Sequence, residues 1–182
     1  IIKRLIEIFG IGILLIGVFL LIALASYAPE DPNFIFPENT EIKNLLGLQG
    51  SYISDLFLQS LGFISYLIPL TLIFTGINIF MSKSFFLIIE SIFFIILYSL
   101  FGSLFLSYFY ENAFTLHING NGGFVGNYLN QSFLNSVINI NTNISYYFLI
   151  FLIAVLFLIS INFNPIRFWN LIKKFVYYFF RK

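Results

Sequence analysis

Four long apolar runs limit what this chain can fold into. Ile8 to Ala25 and Leu56 to Met81 hold no charged side chain, Phe85 to Tyr110 holds one before its last residue, and Ile144 to Phe163 holds none. An α-helix rises 1.5 Å per residue, so about 20 such residues cross a hydrocarbon core about 30 Å thick. The composition agrees: 59% of the 182 residues are hydrophobic and 9% are charged, against about a quarter charged in soluble domains. Water is not the main solvent. The reading is an all-α membrane protein of four transmembrane helices, with spans at about 8–27, 54–81, 85–110 and 144–163. A short external interfacial helix and a basic amphipathic cytosolic tail complete it.

The connections support that division. Lys3 and Arg4 precede the first run as they would a signal peptide, but the run is too long for a signal core. SYAPEDPNFIFPEN follows, and its three prolines bring the chain out of the membrane. MSKS is the only break between the second and third runs, which therefore pair as a tight antiparallel hairpin. Pro69 and Gly76 are the expected kink points of the second span. Between Glu111 and Ser145 the chain is rich in Asn and Gly and free of Lys and Arg. There Val125, Leu129, Phe133 and Val137 recur at helical spacing, as in one amphipathic helix lying at the interface. Asn164-Pro165 ends the fourth span. Residues 164–182 then form the tail, with Arg167, Asn170, Lys174 and Arg181 beside Phe168, Trp169 and Ile172.

Basic residues near span ends are retained on the cytoplasmic side. Lys3, Arg4, Lys83, Arg167, Lys173, Lys174, Arg181 and Lys182 fall on one side of a four-span arrangement and only Lys43 on the other. Both termini are therefore expected in the cytoplasm.

Each ionisable residue has a plain reading beside a functional one. Glu90 lies a turn or two inside the third span, where a carboxylate can mark an ion pathway. Snorkelling to the boundary near Lys83 is the plainer account. Glu7 is expected to pair with Lys3 or Arg4 on its own helix face. Asp55 should sit in the first turn of the second span, capped by Ser51 or Ser54. His117 is the only histidine and cysteine is absent, so no metal site is expected. No GxxxxGK[ST] loop is present, and the glycine cluster GNGGFVG lacks a preceding strand and a nearby basic residue. It reads as a turn into the interfacial helix, and the chain holds no ATPase site. The net charge of +1 makes it a poor binder of nucleic acid.

Three segments, in order, resemble the amino-terminal membrane domain of FtsK and related sporulation DNA translocases. SYAPEDPNF is similar to the family's segment leaving the first span, through Ser26, Tyr27, Pro29, Asp31 and Pro32. Asn44 to Leu70 is similar to the stretch leading through the second span, with Gly47, Gly50, Asp55, Gly62, Tyr66 and Pro69 at matching places. NGGFVG is similar to the glycine-rich motif before the last span, through Gly122, Gly123 and Gly126. Asn33 replaces a small hydroxyl residue, and the tail lacks the family's Gly-x-SW ending.

The resemblance implies a non-catalytic membrane anchor, residues 1–163, placed at the division septum of the bacterial inner membrane. Its implied partners are the lipid bilayer, other division-site membrane proteins, and further copies drawn into a hexamer by a motor. ATP and Mg would serve only that motor, through which alone DNA would be handled. A chain opening on Ile1 is expected to be part of a longer product. The competing readings are a small transporter or channel subunit, motivated by Glu90, Pro69 and Gly76, and a membrane enzyme acting on lipid, which needs a convergent polar cluster.

Overall fold

A computed structural model describes residues 1–33, 41–111, 119–163 and 173. The described residues form helices and no strands: α1 Ile2–Ala25, α2 Gly47–Leu61, α3 Leu67–Ser82, α4 Phe86–Phe109, α5 Gly123–Asn130, α6 Phe133–Ile140 and α7 Thr142–Ser160. A 3-10 turn, Gly62–Tyr66, joins α2 to α3. Four segments are long and apolar enough to cross a membrane: α1, the stretch Gly47–Ser82, α4 and α7. The basic tail, apart from Lys173, lies outside the described residues, as does His117.

The second crossing segment is not one rod. Gly62 ends α2 with φ 74° and ψ −155°, a region nearly closed to residues with a Cβ, and the chain turns there before α3 begins. Pro69 and Gly76 both lie inside the continuous helix α3. Pro69 occupies the first turn of α3, where a missing N–H leaves no helical bond unmade. Gly76 instead lets α3 touch α1. A Cβ there would come within 2.6 Å of the Leu14 nitrogen, and one at Gly10 within 2.9 Å of the Gly76 oxygen. In lipid, helices associate through such close backbone approach because tails are as apolar as leucine. The principal neighbour of α3 is thus α1 rather than its hairpin partner α4.

Hydroxyls join the remaining crossings. Thr71 of α3 lies 3.1 Å from the Tyr98 hydroxyl of α4 and 3.0 Å from Ser160 Oγ of α7. Thr75 lies 2.7 Å from Ser91 Oγ, and Ser91 donates to the Ser160 carbonyl at 3.0 Å. Asn78 donates to the Ile161 carbonyl at 3.0 Å. The bonds from Ser91 and Asn78 satisfy carbonyls that the end of α7 leaves bare. The end itself is a Schellman motif: Asn162 takes φ 50°, with Phe163 N–H bonded to Leu158 O and Asn162 N–H to Ile159 O. The helix stops short of Asn164-Pro165 because asparagine accepts the left-handed turn.

Two further local expectations are corrected. Glu7 pairs with Lys83 at 2.6 Å rather than with Lys3 or Arg4, since the α1–α3 crossing carries the α3–α4 turn to the start of α1. The interfacial helix is two helices, α5 and α6, broken at Gln131 and Ser132, where the Ser132 side chain caps α6 by accepting from Leu134 N–H.

Candidate functional site at the capped end

The end of the bundle away from Lys83 carries α2, the 3-10 turn, α5 and α6, and nearly all the motif residues meet there in two junctions.

The first junction ties the segment after α1 to the start of α2. Ser26 closes α1, its Oγ donating to Ile22 O at 2.7 Å and accepting from Leu45 N–H at 3.1 Å. Pro29 forms the exposed turn that follows, closed by Asp31 N–H to Ala28 O at 3.1 Å. Asp31 is 2% exposed, and its two oxygens accept from Lys43 N–H and Asn44 N–H, both at 2.8 Å. Each carboxylate oxygen thus holds one backbone donor of the chain entering α2. Asn44 then donates to Ala23 O at 2.9 Å and accepts from Leu46 N–H at 3.0 Å, an Asx turn that starts the helix. Gly47 follows with φ 65°. Gly50 leaves room for Asn44, whose side chain a Cβ would strike. Ser51 donates to Pro32 O at 2.6 Å.

Asp55 lies in the middle of α2, not in its first turn, and neither Ser51 nor Ser54 caps the helix, which begins eight residues earlier at Gly47. It is buried, accepting from the Tyr27 hydroxyl at 3.2 Å and Gln59 Nε2 at 3.4 Å. Burial first, and then the Asp55 charge, push the Tyr27 hydroxyl up to about 12. The Tyr66 hydroxyl reaches Leu24 O at 2.9 Å, tying the 3-10 turn to the last turn of α1. At the rim, Lys43 pairs with Glu30; each favours the other's charged form, holding the Glu30 carboxyl below and the Lys43 amine above their ordinary values.

The second junction is built on glycine. Phe63 N–H donates to Asn121 O at 3.0 Å, and the Asn121 oxygen sits where a Cβ of Gly62 would be. Gly123, with φ 66°, lies against Gly62 and Leu61 backbone, where a Cβ would fall 2.6 Å from the Gly62 nitrogen. Gly122 and Gly126, four residues apart, seat α5 on Ser103 and Ser107 of α4, also four apart. Two facing stripes of small residues are what close helix packing in lipid uses. Ser103 Oγ donates to Leu61 O and Ser107 Oγ to Asn127 Oδ1, each at 2.7 Å.

Glu90 and Pro69 stand apart from both junctions. Glu90 is exposed on the first turns of α4, near the opposite end, while Pro69 is buried in α3 and Gly76 packs on α1. The three residues behind a transport reading do not converge. Among the described residues no three His, Asp or Glu side chains gather to hold a metal. Asn121, Ser103 and Ser107 carry the second junction without standing out singly in the sequence. Their signal is the four-residue spacing of small residues, Ser99, Ser103 and Ser107 against Gly122 and Gly126.

A bundle of four membrane-crossing segments, capped at one end by short helices on glycine and carboxylate junctions, defines a multi-pass membrane module. The chain belongs to the family described as the 4TM region of DNA translocase FtsK/SpoIIIE, whose pattern matches residues 2–172. It is 34% identical over 80 residues to a DNA translocase FtsK of Azospirillum brasilense, covering 43% of this chain and 13% of that protein. It is 38% identical over 64 residues to one from Rickettsia prowazekii (strain Madrid E), covering 35% of this chain and 9% of the relative. The aligned part is thus about a tenth of either relative. No solved structure matches the chain.

Proposed function

We propose that this chain is the membrane anchor of a DNA translocase of the bacterial cytoplasmic membrane, non-catalytic in itself, and targeted to the division septum. The observation that carries this reading is the family match over residues 2–172 to the 4TM region of such translocases. In this reading ATP, Mg and DNA engage a motor elsewhere in the protein, the motor draws the anchors into a hexamer, and other division-site membrane proteins are the anchor's neighbours in the bilayer.

The capped end faces the cell exterior, and both ends of the chain lie in the cytoplasm. Lys3, Arg4 and Lys83 support this, since the Glu7–Lys83 pair brings the start of α1 and the α3–α4 turn together at the end opposite the cap. Asp31 and Asp55 serve the anchor by fixing the cap's loops, and the glycines of the second junction by seating α5.

The chain has no native cysteine, so single cysteines report sidedness cleanly. Leu45→Cys in the 182-residue chain should react with a membrane-impermeant maleimide in intact spheroplasts, and Ser84→Cys only after permeabilisation. The reverse pattern would overturn the orientation. A fluorescent fusion of residues 1–182 should gather at midcell; uniform membrane fluorescence would remove septum targeting from this segment.

A further inference from the structure

α3 and α7 touch near mid-depth and part toward the capped end. Their hydroxyl contact, Thr71 to Ser160 at 3.0 Å, lies beside the edge-to-face ring pair of Tyr98 and Phe157, 5.9 Å apart. Beyond that closure opens a groove of about 480 Å³. Its floor is Gly102 and Phe105 of α4, and its walls are Ile64 and Leu67 on one side and Ile153 and Ala154 on the other.

Three properties select the occupant. All ten lining residues are apolar, so water would find none of the two to four polar partners that hold it in a cavity. Tyr98 stands near the middle of α4, and the lining on that helix reaches Leu106, three residues from its end. At 1.5 Å per residue the groove therefore runs for about 12 Å, which is within one leaflet of a core about 30 Å thick. Ten residues are well short of the roughly 20–30 per side that a stable protein interface uses. The space fits a single flexible chain.

We infer that this groove binds one acyl chain of a phospholipid from the leaflet at the capped end. The tail lies against Gly102 and Ala154 and stops at the Tyr98–Phe157 pair. The headgroup remains at the boundary, beside the Tyr110 and Tyr146 hydroxyls, which are 2.7 Å apart and sit where tyrosines favour the membrane interface. The bound chain completes the packing between α3 and α7 that the described residues leave open. The inference needs only a membrane around the bundle, not the proposed orientation or the motor.

Native mass spectrometry of the 182-residue chain released from detergent micelles tests it. The wild type should carry one phospholipid per chain. Ala154→Phe, which fills the groove from its rim, should lower that occupancy at least tenfold with the helical circular dichroism unchanged, and Ile153→Phe should do the same should the first variant fold poorly. Equal occupancy in the filled variants, or a wild type with no bound phospholipid, would overturn the inference. Ile153→Cys distinguishes a protein occupant: mild oxidation in membranes should give monomer, and a disulfide-linked dimer would put a second copy of the chain in the groove.

Discussion

The capped end and the opposite half of the bundle are held by different means. At the cap, loops enter and leave short helices, so many backbone groups lack a partner within their own helix. Asp31, Asn44, Ser51 and Asn121 supply those partners, and glycine carbonyls and amides close the remaining gaps. In the opposite half the backbone is helical and, apart from the end of α7, satisfied within itself, and what remains is contact between helices, through Gly10 on Gly76 and a chain of hydroxyls. Irregular backbone is tolerated at membrane depth only where protein covers it. The cap therefore depends on individual residues, whereas the opposite half depends on shape.

That contrast breaks first at Gly62. Alanine there must adopt φ 74° and ψ −155° and displace the Asn121 carbonyl, so Gly62→Ala should cost about 3 kcal/mol or more, from strain and overpacking together. Gly76→Ala keeps helical dihedrals and needs only a shift of α1, for about 1–2 kcal/mol. Gly12 has nothing within 4 Å, and Gly12→Ala should stabilise by about 0.5–1 kcal/mol. The midpoint of SDS-induced unfolding in mixed micelles ranks the three; equal costs at Gly62 and Gly76 would erase the distinction between the ends.

The hydroxyl chain sharpens it at a smaller scale. Ser91→Ala removes a bond to Thr75 and one to the Ser160 carbonyl. Interhelical hydrogen bonds in membranes average about 0.6 kcal/mol, so the loss should be roughly 1 kcal/mol in the same titration. A loss as large as that of Gly62→Ala would mean that single residues rule both halves.

The smallest effect is confined to alkaline solution. The Tyr27 hydroxyl is raised from 10.0 to about 12 in the folded chain. A raised value means that the folded state holds the proton more tightly, so the contribution is whole below pH 10 and is lost as pH rises toward 12. Tyr27→Phe should lower the midpoint at neutral pH, through the donor that Asp55 loses, and remove this part of the alkaline loss. An unaltered alkaline limb would place the titration elsewhere.

The four crossing segments, the exit at the prolines after α1 and the sorting of Lys3, Arg4 and Lys83 away from Lys43 all follow from hydropathy and charge along the chain. The motif residues were equally visible as a set. Their use was not, because each partner lies far off in sequence: Gly62 meets Asn121, Tyr27 meets Asp55 and Glu7 meets Lys83. Local rules put Asp55 at a helix start and Glu7 beside Lys3, since they weigh only neighbours within a turn. By itself the sequence determined how many times this chain crosses the membrane and where it leaves. Only the tertiary structure decided which helix faces carry the contacts, because lipid is as apolar as the side chains it surrounds and hydropathy cannot distinguish a face turned to lipid from one turned to protein.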